Sequence, residues 1–241
     1  MKNQGELITK ERIGFEKLNI ALGLIYKEWY ELISKNLSEV DGMNIELGCG
    51  ASFLDQTIEN IQKTDVFLNS NTDFKLDAME IGTRFENKVS NIILVNVFHH
   101  ISNPELFLKA AEKSLLSKGK IIMIEPSNNF LSRLIYKLVG HEKFDPKQIS
   151  WDFESKDPLF DSNQALSWII FKRDYERFKI LFPMLSLIKM NSFMPLSYLI
   201  SGGHTYNTKI GKSITKLIRK IERKLFDKYF GMFDLICIEK N

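Results

Sequence analysis

Six residues, Ile45-Glu-Leu-Gly-Cys-Gly50, constrain this chain more than any others, because they read as a buried strand that runs straight into a glycine turn. Such a turn is a cradle for a small molecule. Gly48 takes backbone conformations closed to residues with side chains, and Gly50 lets the main chain approach a ligand with no Cβ in the way. Ala51, Ser52, Phe53 and Leu54 are expected to open a helix whose free N-terminal amides lie beside the turn. A dinucleotide fingerprint would need a third small residue three positions after the second glycine of its G-x-G. Phe53 stands there, and its benzyl group would hold helix and pyrophosphate apart, which opposes a nicotinamide or flavin dinucleotide.

Around this turn the chain alternates helix and strand, the pattern of a mostly parallel sheet wrapped by helices. Ile13 to Leu37 reads as helical. Strands are expected at 44–47, 61–65, 73–77, 91–97, 120–125, 185–191 and 232–239. The fold class is therefore α/β: a Rossmann-like seven-stranded sheet with helices on both faces, N-terminal helices and an insertion after the fifth strand. Ser102 or Asn103 is placed to cap a helix with Pro104 in its first turn. An apolar face of Leu106, Phe107, Ala110, Ala111 and Leu115 follows, with Gly119 as its stop. One domain over 1–241 is expected: helices to 42, a ligand-binding half over 43–126, a lid-like insertion over 127–182, and C-terminal strands with a basic helix over 183–241.

Composition narrows the classes. A net charge of +3 is too mild to argue for nucleic acid, and no apolar run approaches the roughly 18–20 residues of a membrane span. The polar, mixed-charge start resembles neither a secretory nor a transit sequence. Cys49 and Cys237 are far apart, so neither a disulfide framework nor a zinc site is expected, and a reducing, cytoplasmic setting is.

Four segments in order now carry a resemblance. They are Glu46-Leu-Gly-Cys-Gly50; Asp65, 19 positions after Glu46; Asp77-Ala78; and Asn96-Val97-Phe98-His99-His100. Together they resemble the class I S-adenosylmethionine-dependent methyltransferases that act on small molecules. The resemblance implies S-adenosylmethionine as cofactor, held by Glu46, Gly48, Cys49, Gly50, Asp65, Asp77, Ala78, Asn96 and Val97. Asp65 would serve the ribose, Asp77 the adenine, and Asn96 the methionine part. Ser52 departs from the glycine many members carry. Further stretches, among them Glu125-Pro126, Leu131 to Tyr136, His141-Glu142, Asn163-Gln164-Ala165 and Ser201-Gly-Gly203, resemble a methyltransferase subgroup found among surface-polysaccharide biosynthesis proteins. That likeness implies a sugar, lipid-linked sugar or related small-molecule acceptor; oxygen is the expected acceptor atom, ahead of nitrogen or carbon. The alternative is a catalytically silent relative that keeps the fold as a binding or scaffold protein.

His100 and His141 are the candidate general bases, since imidazole titrates near neutrality; each reads equally well as a structural wall of the site. Either His99 or His100 can be absorbed by the next helix as a packing or capping residue. Metal binding by His99, His100, Glu125 and His141 lacks a dense ligand spacing, and no metal is expected. Trp151, Phe153, Phe160 and Trp168 read as core, with an acceptor pocket as the sharper alternative. The stretch from Ile210 to Lys228 sets Ile210, Ile214, Leu217, Ile218, Ile221 and Leu225 on one face, with eight cations, Lys209 just before it included, against two acids overall. Its ordinary reading is a helix with its apolar stripe on the core and a solvated basic back. The sharper one is weak peripheral contact with an anionic membrane, at the inner membrane surface.

Overall fold

A computed structural model of the chain describes residues 12–139, 142–155, 157, 161–203, 208–225 and 227–241. Seven strands form one sheet: β1 (Met43–Leu47), β2 (Ile61–Asp65), β3 (Phe74–Lys75), β4 (Val89–Val95), β5 (Leu115–Pro126), β6 (Leu185–Phe193) and β7 (Phe233–Lys240). Their spatial order is β3-β2-β1-β4-β5-β7-β6. The first five run parallel, and β7 is antiparallel to both β5 and β6. The α/β class and the mostly parallel sheet are as the sequence implies.

Side chains alternate between the two faces of a strand, and both faces are buried here. Ile92, Leu94, Ile121 and Met123 enter one core; Ile93, Ile122 and Ile124 enter the other. On the second face lies α1 (Ile20–Ser34), which buries Ile25, Trp29, Tyr30 and Ile33. On the first lies α2 (Pro104–Ser114), which buries Phe107, Leu108 and Ala111. Segment 127–184 supplies α3 (Phe130–Val139) and α4 (Tyr175–Leu181), and α5 (Lys212–Leu225) precedes β7. No helix of the described residues is long and apolar enough to cross a membrane.

Several local expectations are corrected. No α-helix follows the glycine turn; the described backbone has only a single 3-10 turn at Leu54–Gln56. Buried Leu54 and the packing of Phe53 on Tyr30, centroids 4.9 Å apart, make this segment a plug under α1. The N-terminal helix is broken at Asn19, whose side-chain oxygen accepts from the Leu22 amide and whose amide donates to the Ser201 carbonyl. Asn103 caps α2, which stops at Ser114 rather than Gly119. Leu115 opens β5, and Leu106 is turned outward at 46 % exposure. Trp151 keeps its ordinary reading as core: it is buried, and its indole N–H donates to Asp174. Phe160 and His141 lie outside the described residues.

The largest departure is α5. Its buried residues are Thr215, Arg219 and Glu222, while Ile214, Leu217 and Ile221 are exposed at 57 %, 59 % and 46 %. The helix is turned polar side in. Arg219 explains this, because its guanidinium donates to Glu28, Glu222 and Asp227 at 2.6–3.1 Å. Glu222 in turn accepts from the Leu196 and Ser197 amides. A buried charge is tolerable only when paired and hydrogen-bonded, and this arrangement satisfies both partners. Burial alone would lower the Arg219 pKa, but the surrounding carboxylates raise it above the usual value.

Removing Arg219 strands buried carboxylates, a change that typically costs about 3–5 kcal/mol. Arg223 also bonds Glu28, which keeps one partner for it. Arg219→Met is therefore expected near the lower end, about 3 kcal/mol, a fall of roughly 6–12 °C in Tm for a domain of this size. Thermal denaturation checks it; an unchanged Tm would mean that the network does not hold α5.

Candidate functional site

Parallel strands end on one edge, so residues distant in sequence meet there in sheet order. Along this edge stand Asp77 after β3, Asp65 at the end of β2, Glu46 and the Gly48–Gly50 turn on β1, Asn96 to His100 after β4, and Glu125 near the end of β5. Neighbouring strands are spaced by about 4.8 Å, so β3 to β4 spans roughly 14 Å.

The turn is tightly specified. Gly48 has φ +65° and Gly50 φ +47°. A Cβ on Gly48 would lie 2.7 Å from a methyl of Val97, so the turn is packed against the β4 loop. Asp65 closes it from the other side: one oxygen accepts from the Gly50 amide at 2.9 Å and the other from the Phe67 amide at 3.0 Å. Burial raises the Asp65 pKa, and these backbone donors act against the rise. Each carboxylate oxygen retains a second lone pair. The Asn71 amide adds a further tie to the carbonyls of Gly50 and Ser52.

Glu46 stands apart. It is 2 % exposed, and its Oε2 has no hydrogen-bond partner among the described residues. Burial pushes its pKa up to about 8, with the Ser52 hydroxyl and Lys63 only partly offsetting. Cys49 is buried beside it, its thiol pushed up to about 12 chiefly by burial, so it is a packed filler and not a nucleophile. Asp77 caps a one-turn segment, accepting from the Met79 amide, with Ala78 following. Asn96 sits at φ +54° and donates its backbone N–H to Ile124. Its side chain bonds Tyr26 of α1, a residue that sequence reasoning left as one of several helix aromatics.

The histidines separate by role. Buried Glu125 accepts from the Val97 and Phe98 amides with one oxygen and from His99 Nδ1, 2.5 Å away, with the other. On its far side His99 Nε2 lies 3.2 Å from Glu142. Burial alone would lower the His99 pKa; the two carboxylates reverse this and hold it near 10. Burial likewise works to raise Glu142, and the His99 imidazolium brings it down to about 2. At neutral pH His99 is thus a cation that clamps the loop, neither a base nor a helix cap. His100 Nε2 lies 3.8 Å from Glu142, and its ring is 4.2 Å from that of His99. Ligand atoms of His99, His100 and Glu142 lie within 4.8 Å of one another, and a cation among them would have to displace the proton that the raised His99 pKa implies. Glu142 entered the sequence reading only through a family likeness; no spacing in the chain announces its meeting with residues 99 and 100.

No protein-family model and no curated protein sequence matches this chain. Solved structures do. A SAM-dependent methyltransferase from Archaeoglobus fulgidus superposes over 94 % of this chain and 98 % of its own, with a TM-score of 0.55 at 14 % identity. One from Thermotoga maritima covers 97 % and 99 %, with a TM-score of 0.56 at 14 % identity. Geranyl diphosphate C-methyltransferase from Streptomyces coelicolor A3(2), solved with Mg2+, geranyl diphosphate and S-adenosyl-L-homocysteine, covers 94 % and 84 %, with a TM-score of 0.54 at 13 % identity. The fold is that of the class I methyltransferases.

Within this methyltransferase fold, Glu46 makes stability depend on pH. Its folded pKa is raised, so folding takes up a proton between the ordinary carboxylate value and about 8, and the wild type loses stability as pH rises through that interval. Glu46→Gln keeps the shape without the titration. The variant is expected to gain in Tm on the wild type from pH 5 to pH 8.5, and parallel melting curves at both pH values check it; a constant difference would show that Glu46 is ionised throughout.

Proposed function

We propose that this protein is an S-adenosylmethionine-dependent methyltransferase whose acceptor is a sugar, lipid-linked sugar or other small molecule, methylated at oxygen. The observation that carries the reading is the unpartnered, buried Glu46 Oε2 beside the Gly48–Gly50 turn, in line with Asp65 and Asp77. A buried carboxyl oxygen without a donor is rare and calls for a ligand that supplies one. The span of roughly 14 Å from β3 to β4 suits an extended nucleoside with an amino-acid tail.

Asp77 would receive the adenine amino group, and Asp65, through its remaining lone pairs, the ribose hydroxyls. Glu46 and Asn96 would receive the amino-acid part, while Gly48, Cys49, Gly50, Ala78 and Val97 shape the floor. Bound there, S-adenosylmethionine supplies a methyl group on a sulfonium, open to attack by an acceptor oxygen. Much of the acceleration in such a transfer comes from alignment. His100 is the base this chain offers: His99 is already protonated and held between two carboxylates, whereas His100 stands next to it with Nε2 3.8 Å from Glu142. His141, outside the described residues, is the second candidate. The structural neighbours act on different acceptors, so the sugar or lipid-linked class rests on the sequence likeness alone.

Titration calorimetry with S-adenosylmethionine and S-adenosylhomocysteine tests the reading. Binding is expected in the micromolar range, and Asp65→Ala should weaken it at least tenfold, each lost charge-assisted hydrogen bond being worth about 1.5–3 kcal/mol. The ligand's ammonium beside Glu46 should draw that carboxyl's pKa down and release a proton at pH 7, seen as a buffer-dependent heat that Glu46→Gln abolishes. No binding up to low millimolar ligand would end the proposal.

His100→Gln should leave cofactor affinity unchanged and lower methyl transfer to an acceptor, found by screening glycans and lipid-linked sugars, about a hundredfold. Undiminished turnover would remove His100 as base.

A further inference from the structure

A helix normally buries its apolar stripe, and α5 does the opposite. With about 100° between successive residues, three bands run along it. Thr215, Arg219 and Glu222 face the protein. Ile214, Leu217 and Ile221 form an exposed apolar row. Beside that row runs a column of exposed lysines at every fourth position, Lys212, Lys216, Lys220 and Lys224. The helix contains a single acidic residue, Glu222, and it is buried in the Arg219 network. The outward face therefore carries apolar groups and positive charge and no negative charge.

We infer that α5 is an interfacial helix that docks the protein onto an anionic lipid surface. The apolar row would sink to the boundary between headgroups and acyl chains while the lysine column lies level with lipid phosphates. This division into apolar row and cationic flank is what a helix lying in the membrane plane requires. Charge separates a membrane from a protein partner: protein interfaces exclude lysine from their centres, whereas an anionic bilayer supplies negative charge along the whole helix. At about 1.5 Å per residue the 14-residue helix offers a contact about 21 Å long. The Arg219 ion pairs with Glu28 and Asp227 keep this face outward, so the docking orientation is built into the fold and does not wait for a lipid.

Vesicle flotation of the full chain tests the inference, on phosphatidylcholine with and without phosphatidylglycerol, and without cofactor so that the result does not depend on methyl transfer. The wild type is expected to float with anionic vesicles at low salt and to be largely released at about 0.5 M salt, where the Debye length falls below 5 Å. Changing Lys216, Lys220 and Lys224 together to glutamine should weaken recovery on the order of a hundredfold. Changing Ile214, Leu217 and Ile221 together to serine should also abolish flotation, and it leaves the Arg219 network in place, so an unchanged Tm confirms the fold. Equal recovery on neutral and anionic vesicles, or none at low salt, would overturn the inference. So would a concentration-dependent dimer, seen by size-exclusion chromatography, that the serine variant abolishes, for the row would then belong to a second copy of the chain.

Discussion

The site depends on one buried carboxylate, Glu125. It stands near the end of β5 with no solvent exposure, yet it accepts from two backbone amides and an imidazolium that all belong to the loop after β4. Burying an acid is costly unless its lone pairs are filled, so the loop can hold only the shape that fills them. That shape sets Val97 against Gly48 and brings His100 beside Glu142. It also keeps His99 charged, which in turn fixes Glu142.

The glycine turn is held from the opposite side by Asp65 and Asn71 rather than by a following helix. A cradle needs its amides and carbonyls aimed, and short hydrogen bonds from the next strand and its loop do this without helix propagation. The segment that would have been a helix becomes an aromatic plug, with Phe53 against Tyr30 and the Tyr30 hydroxyl 3.2 Å from that of Ser52. Phe53 thereby joins the N-terminal helix to the glycine turn. Tyr26, one turn earlier on that helix, reaches Asn96.

Polar burial also decides the C-terminal half. In α5 a single arginine with three acidic partners outweighs a row of aliphatic side chains, because ungluing the ion network would strand charges in the interior, whereas exposing three aliphatic side chains forgoes a smaller burial term for each. The same aliphatic row, left outside, then becomes the surface available to a lipid.

Much of the fold was legible from local pattern. Strands at 61–65 and the Pro104 helix follow from apolar runs and punctuation, and Gly48, Asp65 and Asp77 were readable because parallel strands deliver their ends to one edge. What the sequence alone determined is the α/β class, the glycine turn and the position of the acids in line with it, since these rest on backbone freedom and on the alternation of side chains within a segment. Only the tertiary structure decided that His99 is a clamp and not a base, that Glu142 faces both histidines, and that α5 turns its charges inward. Each of these hangs on partners tens to almost two hundred residues away, as with Arg219 and Glu28, separated by 191 positions. Periodicity tells which residues share a face of a helix; it cannot tell which face the rest of the molecule will claim.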